Sequence, residues 1–184
     1  MAGARIRSAG PDDAAGIAEV QHASWQTAYL GVLPHEVLSA LDEAQGASFW
    51  RRVLSRASAH EGVLLALLED EPVGFVSFGP IRERIPGYEG EFYALYVRPE
   101  AQGCGIGTAL MARAARQLVR RRCLAATVWV LEDNQLGRRF YEHLGGDLLT
   151  GAKPLHYRGR SYESVREVAY GWRDLRRARW LVEN

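Results

Sequence analysis

Residues 91–110 read EFYALYVRPEAQGCGIGTAL, and the order of residue types in this stretch decides the fold. From Glu91 to Arg98 the run is aromatic and β-branched and apolar on both faces, the pattern of a central strand covered on both sides. Pro99 stops it. A turn containing Gly103, Gly105 and Gly107 follows, and from Gly105 to Arg120 the residues Ile106, Leu110, Ala114 and Leu118 recur at helical spacing. Arg116, Arg120, Arg121 and Arg122 gather at the far end, where they complement the helix dipole. A strand running through a glycine turn into a helix leaves the first helical amides without partners. They point at whatever lies in the turn, so the segment reads as a pyrophosphate cradle for a phosphate-bearing cofactor.

Two nucleotide folds with related motifs do not match. After Gly103-x-Gly105 a dinucleotide fingerprint needs a third glycine where Thr108 stands, and an acid about twenty residues on, where the chain is Arg-rich. The P-loop pattern GxxxxGK[ST] does not occur in the sequence.

Outward from this centre the chain alternates. Leu124–Leu131 reads as a strand, Asn134–Leu144 as a helix and Gly145-Gly146 as its stop, with final strands expected over 147–152 and 164–172. On the other side, Val63–Leu68 and Val73–Phe78 form a hairpin about Glu69-Asp70-Glu71-Pro72, followed by a flexible loop over Gly79–Gly90. Ile6–Ala9 predicts a first strand. Pro11-Asp12-Asp13 opens a helix to about Ala28 that carries Ile17, Val20, Ala23 and Trp25 and is ended by Gly31 and Pro34. Two short helices fill Pro34–Ala59.

The remaining composition excludes more than it specifies. The chain has 184 residues, 47% hydrophobic and 24% charged, with neither repeat nor linker, so one soluble globular domain is expected. A formal charge of +1 provides no field for nucleic acid or anionic membrane. Arg5, Arg7, Asp12 and Asp13 interrupt any export signal, and the Val63–Leu68 run is far short of the roughly 18–20 residues of a membrane span. Cys104 and Cys123 form no framework, which fits a reducing cytoplasm. His22, His35, His60, His143 and His156 lack metal-ligand spacing, so no metal is expected. GxSxG is absent, and the Arg120–Arg122 run reads as a solvated helix end.

The pattern Gln102-x-x-Gly105-x-Gly107 after YALYV resembles the GNAT (GCN5-related N-acetyltransferase) superfamily. The resemblance extends over nearly the whole chain, through Ser24-Trp25, Tyr29, Gly31 and Pro34 at the start and Asn134 with Phe140-Tyr141 later. It implies a mixed α/β fold with a central, mostly antiparallel sheet of about six to seven strands flanked by helices. It further implies that acetyl-CoA lies where the Glu91–Val97 strand splays from Val128–Leu131. Backbone groups of Leu95, Tyr96 and Val97 would hold the pantetheine arm and thioester, amides of Gln102, Gly103, Cys104, Gly105, Ile106, Gly107 and Thr108 the pyrophosphate, and Asn134 the pantetheine side. Two positions depart from the family pattern: Cys104, where relatives often carry a basic or polar side chain, and Gly146, which replaces an aromatic residue.

Acetyl transfer to an amine needs a neutral nucleophile, an oxyanion donor and a proton for the leaving thiolate. If Leu136, Phe140 and Leu144 form the core stripe of their helix, Tyr141 lies at its edge facing the cleft and is the candidate acid. Glu91, at the entrance of the central strand, is the candidate base. A backbone amide near Leu95–Val97 is the oxyanion donor. Trp25 and Tyr29 are the acceptor-side candidates, with Tyr88, Tyr157 and Tyr162 as further aromatic residues. The expected activity is direct acetylation of a primary amine, first of a small molecule. The alternatives are a protein or peptide acceptor, or a non-catalytic acyl-CoA sensor. The resemblance also implies a homodimer.

Overall fold

The computed structural model describes residues 3–29, 43–56, 58–149, 151–157 and 160–181. Its strands are β1 (Arg5–Ser8), β2 (Gly62–Leu68), β3 (Glu71–Pro80), β4 (Gly90–Val97), β5 (Ala126–Leu131), β6 (Asp147–Leu148), β7 (Lys153–Tyr157) and β8 (Arg160–Trp172). Its helices among the described residues are α1 (Ala14–Ala28), α2 (Glu43–Ser55), α3 (Ile106–Arg120) and α4 (Gln135–His143). The expected helix stops Gly31 and Pro34 lie outside the described residues, as does the first part of the Pro34–Ala59 stretch; its second part is α2.

The strands form one eight-stranded sheet in the order β1-β2-β3-β4-β5-β8-β6, with β7 on β8, and so exceed the expected number. Every pairing is antiparallel except β4 with β5. Alternation along β2 distributes two cores. Leu64 and Ala66 join Val76, Phe92, Val128 and Tyr170 beneath α3, whereas Leu65 and Leu67 join Phe75 beneath Ile17 and Val20 of α1 and Trp50 of α2. On α3 the expected stripe of Ile106, Leu110, Ala114 and Leu118 is buried, and its large members each contribute about 1.5–3 kcal/mol of apolar transfer.

Local chemistry moves several boundaries. Glu69 and Asp70 alone make the β2–β3 turn, both left-handed at φ 49° and 67°, so Pro72 falls inside β3. There the register slips between Ala66 and Leu67, which accommodates a residue unable to donate to the ladder. Of the two final strands expected, the one over 164–172 forms and begins earlier, as the 13-residue β8, the one over 147–152 is shortened to β6, and β7 is an additional strand. The polar start of β8, RSYESVRE, has no apolar period; it is a strand because β7 pairs with it.

The site is positioned by a fault in the ladder. Ser77 pairs with Ala94 but Phe78 with Phe92, leaving Tyr93 unpaired as a bulge that bends β4. Pairing with β5 covers only Gly90–Phe92 against Ala126–Val128, and beyond it the two strands diverge. Among the described residues no helix is long and apolar enough to cross a membrane.

Candidate active site

A cavity of about 1320 Å³ runs through the gap between β4 and β5. Leu95, Tyr96 and Val97 form one wall, Val128 to Leu131 the other, and Gln102, Gly103, Gly105, Ile106, Gly107 and Thr108 border one end. The Arg98 amide donates to the Val73 carbonyl, so antiparallel alternation turns Tyr96 toward β3 and leaves the peptide groups of Leu95 and Val97 facing the gap. The Val97 carbonyl is already used: Gln102 Nε2 donates to it at 3.0 Å and Ser24 Oγ at 3.3 Å. The Gln102 side chain thus ties the turn to the strand.

Gly103 and Gly105 sit at φ 73° and 79°, which explains glycine at both. A Cβ would meet nothing within 4 Å at either, so backbone conformation and not space is the constraint there. Gly105 caps α3, leaving the amides of Ile106, Gly107 and Thr108 at its free N-terminus. Gly107 has a different role, since a Cβ there would lie 3.3 Å from the Phe140 ring: it lets α4 approach α3. Cys104 is exposed, its Sγ 3.6 Å from the Gln102 carbonyl oxygen, and it is not among the cavity-lining residues.

The buried stripe of α4 is rotated from the expected one. Leu136 is 65% exposed at the cavity wall, whereas Tyr141 is 6% exposed and Leu144 5%. Gly137 causes the rotation, because its missing side chain lets the helix rest on Val130 of β5. Tyr141 therefore lies inside the stripe as well as on the cavity, packed against Phe140, Tyr170 and Trp172. Burial raises its pKa well above that of an ordinary phenol, and Tyr29 nearby adds to the rise. The space at Gly146 is filled by Trp172, whose ring carbon is 3.0 Å from where a Cβ would stand. The indoles of Trp172 and Trp180 both donate to the Leu144 carbonyl, at 2.9 and 2.8 Å.

Asn134 lines the cavity, but its side chain has structural partners. Oδ1 accepts from the Gly137 amide at 2.9 Å as the cap of α4, and the side chain also hydrogen-bonds Tyr29. Trp25 and Tyr29 both line the cavity, edge to face at 5.2 Å, in a cluster with Leu131 and Val165. Tyr162 packs against that cluster. Tyr88 lies elsewhere, buried beneath Arg173, and the Tyr157 side chain is outside the described structure.

The expectation for Glu91 is corrected. Its carboxylate is 1% exposed, lies outside the cavity lining, and is clamped by Arg82. The Arg82 backbone amide donates at 2.9 Å and Nε at 3.0 Å, and a guanidinium nitrogen completes the ion pair. Withdrawing Arg82 would strand a buried charge at a cost of about 3–5 kcal/mol, so the Glu91 carboxylate is held as the partner of Arg82, apart from the cavity. The sequence reading missed Trp129 and Glu167, which also line the cavity. The alternation of Val165, Glu167 and Ala169 along β8 was the available signal, hidden because Glu167 is itself charged and Val168 between the last two is buried on the opposite face.

The sequence profile of the Acetyltransferase (GNAT) family matches residues 21–146. The chain is 32% identical over 182 residues to the N-acetyltransferase YuaI of Bacillus subtilis strain 168, covering 96% of this chain and 97% of that one. The fold is similar to the crystal structure of PaiA N-acetyltransferase from Thermoplasma acidophilum in complex with coenzyme A, with TM-score 0.65, 21% identity and 94% and 100% of the chains covered. It is also similar to YncA of Salmonella typhimurium with acetyl-CoA, at TM-score 0.67, 20% identity and 95% of each chain. At these identities the structural likeness carries the architecture alone.

Proposed function

Because the chain belongs to the Acetyltransferase (GNAT) family, we propose that it transfers the acetyl group of acetyl-CoA directly to a primary amine of a small molecule, residues 1–184 acting as one domain. The observation that carries this reading is the split between β4 and β5, which exposes the Leu95 and Val97 peptide edge in line with the free N-terminus of α3. Strand-edge groups suit the amides of a pantetheine arm, and left-handed glycines with unpaired helix amides suit a pyrophosphate.

When bound, acetyl-CoA supplies an acetyl carbonyl activated as a thioester. The Leu95 and Val97 edge orients that arm, and a main-chain amide of this run is the oxyanion donor. Ile106, Gly107 and Thr108 amides hold the phosphates. Tyr141 keeps its proton on Oη throughout the working pH range and is the donor available to the leaving group. Trp25 and Tyr29 exclude water on the acceptor side, and Asn134 keeps α4 and Tyr29 in place. Buried aromatic walls favour a small organic amine over a polypeptide segment.

Acetyl-CoA-dependent thiol release across amino acids, polyamines, aminoglycosides, arylamines and short peptides, with an amine-free blank, tests the proposal. Release that depends on a small amine is the expected result. Release with peptides alone would assign a polypeptide acceptor, and silence with acetyl-CoA bound would make the protein an acyl-CoA sensor.

A further inference from the structure

One cluster bordering the cleft is built around an ammonium group. Trp129 and Glu167 both line the cavity. Because Trp129 pairs with Ala169 and Leu131 with Glu167, their side chains share the sheet face on which Tyr29, Leu131 and Val165 pack. Lys153 of β7, the sole lysine of the chain, lays its Nζ over the Trp129 ring 3.6 Å from the centroid. The same nitrogen is 3.4 Å from Glu167 Oε1 and forms an ion pair with Glu83 of the loop between β3 and β4. An indole face flanked by carboxylates is the environment an alkylammonium ion requires. Among the described residues lining the cavity, the carboxylates are Glu61, exposed just before β2, and Glu167, whose side chain is 16% exposed.

We propose that Trp129, Glu167 and Glu83 form the site for the acceptor's ammonium group, that Lys153 stands in that site in the free protein, and that Glu167 takes the proton the ammonium must lose. The inference rests on the acetyltransferase reading above and names its acceptor class: an alkylamine protonated at neutral pH, used in preference to a neutral arylamine such as aniline, which is turned over slowly without the proton step. In the proton step an N–H bond of R–NH3+ breaks and an O–H bond forms on the Glu167 carboxylate. The electron pair stays on nitrogen as the attacking lone pair, and the carboxyl later releases its proton to water. The charged groups facing Glu167 are Lys153 from β7 and Arg82 and Glu83 from the loop. Burial raises the Glu167 pKa against the lowering by Lys153 and Arg82, as a base requires.

Having one lysine makes the site directly readable. In protein labelled with 13C-lysine, the Lys153 methylene signals should be shifted by the Trp129 ring current and move to free-lysine values on titration with 2-phenylethylammonium. Signals that stay in place up to the solubility of the probe would leave a structural ion pair only and overturn the proposal. In turnover, Glu167→Gln should lower kcat/KM for 2-phenylethylamine about 10²- to 10⁴-fold and flatten the acid limb of its pH profile. Aniline, already neutral, should be affected by less than about threefold. Equal losses with both amines, or none with either, would overturn the role of Glu167. Turnover on a lysine peptide with none on 2-phenylethylamine would overturn the small-molecule reading while retaining the alkylammonium site. If acetyl-CoA binds but no amine is acetylated, the acetyltransferase reading fails and the lysine titration alone decides the ammonium site.

Discussion

Tyr141 is packed in the core and borders the cavity, and its hydroxyl is the proton donor proposed above. Its ring belongs to the core with Tyr170 and Trp172, so removing the oxygen alone preserves the packing. Tyr141→Phe should lower kcat about 10²- to 10⁴-fold, the usual contribution of a positioned acid, with the KM for acetyl-CoA changed less than about twofold. Steady-state kinetics with matched thermal midpoints checks this, and an unchanged kcat would remove Tyr141 as the donor. Tyr141 was legible in the sequence as a residue but not in its setting. A stripe drawn through Leu136, Phe140 and Leu144 ignores Gly137, whose contact with Val130 turns the helix so that Leu136 faces solvent. Glu91 failed for a related reason, because nothing near it in sequence announces that Arg82 occupies its carboxylate.

At the scale of elements, the turn before α3 separates two uses of glycine. Gly105→Ala forces a Cβ into a left-handed backbone at a cost of about 1–2 kcal/mol, although the surrounding space is open. Weakened acetyl-CoA affinity by calorimetry is expected, and Gly105→Asn should lose less because asparagine tolerates that conformation. Equal losses in both variants would point away from backbone strain. Elements whose two faces are both apolar, such as β4, or whose stripe is regular, such as α3, were legible because their pattern is local. β7 and the first residues of β8 were not, since Pro154 and the charged run from Arg160 become strands only through each other, whereas the expected strand over 164–172 is the rest of β8. The divergence of β4 from β5 was expected from family resemblance alone, and its physical cause, the unpaired Tyr93, carries no sequence mark.

Across the whole molecule, buried phenols link stability to pH. Burial raises the pKa of Tyr29 and Tyr141 above the ordinary value of 10.0, and that of Tyr88, Tyr93 and Tyr170 shifts the same way. Between the unfolded and folded pKa values the native state binds more protons, so the stabilisation is complete below about pH 10 and is lost as pH rises beyond it. Each such phenol removes at most about 1.4 kcal/mol per pH unit in that window. Urea midpoints should therefore fall above about pH 10, with phenolate absorbance of Tyr29 and Tyr141 appearing only as the chain unfolds. A flat midpoint would mean that these rings are not buried in solution.

The ladder between β4 and β5 has a meaning beyond the cleft. It runs only from Gly90 to Phe92 against Ala126 to Val128, and it is the join between the β1–β4 half of the sheet and the half containing β5 to β8. The α3 core beneath them draws on residues from both halves, and so does the cluster of Trp25, Tyr29, Tyr96, Leu131 and Val165 on the other face. In the language of hydrogen exchange the halves are expected to behave as two cooperative units sharing one spine. Opening at the join costs few hydrogen bonds, so exchange is expected to be fastest along the line of the proposed cleft while each half keeps its own protection.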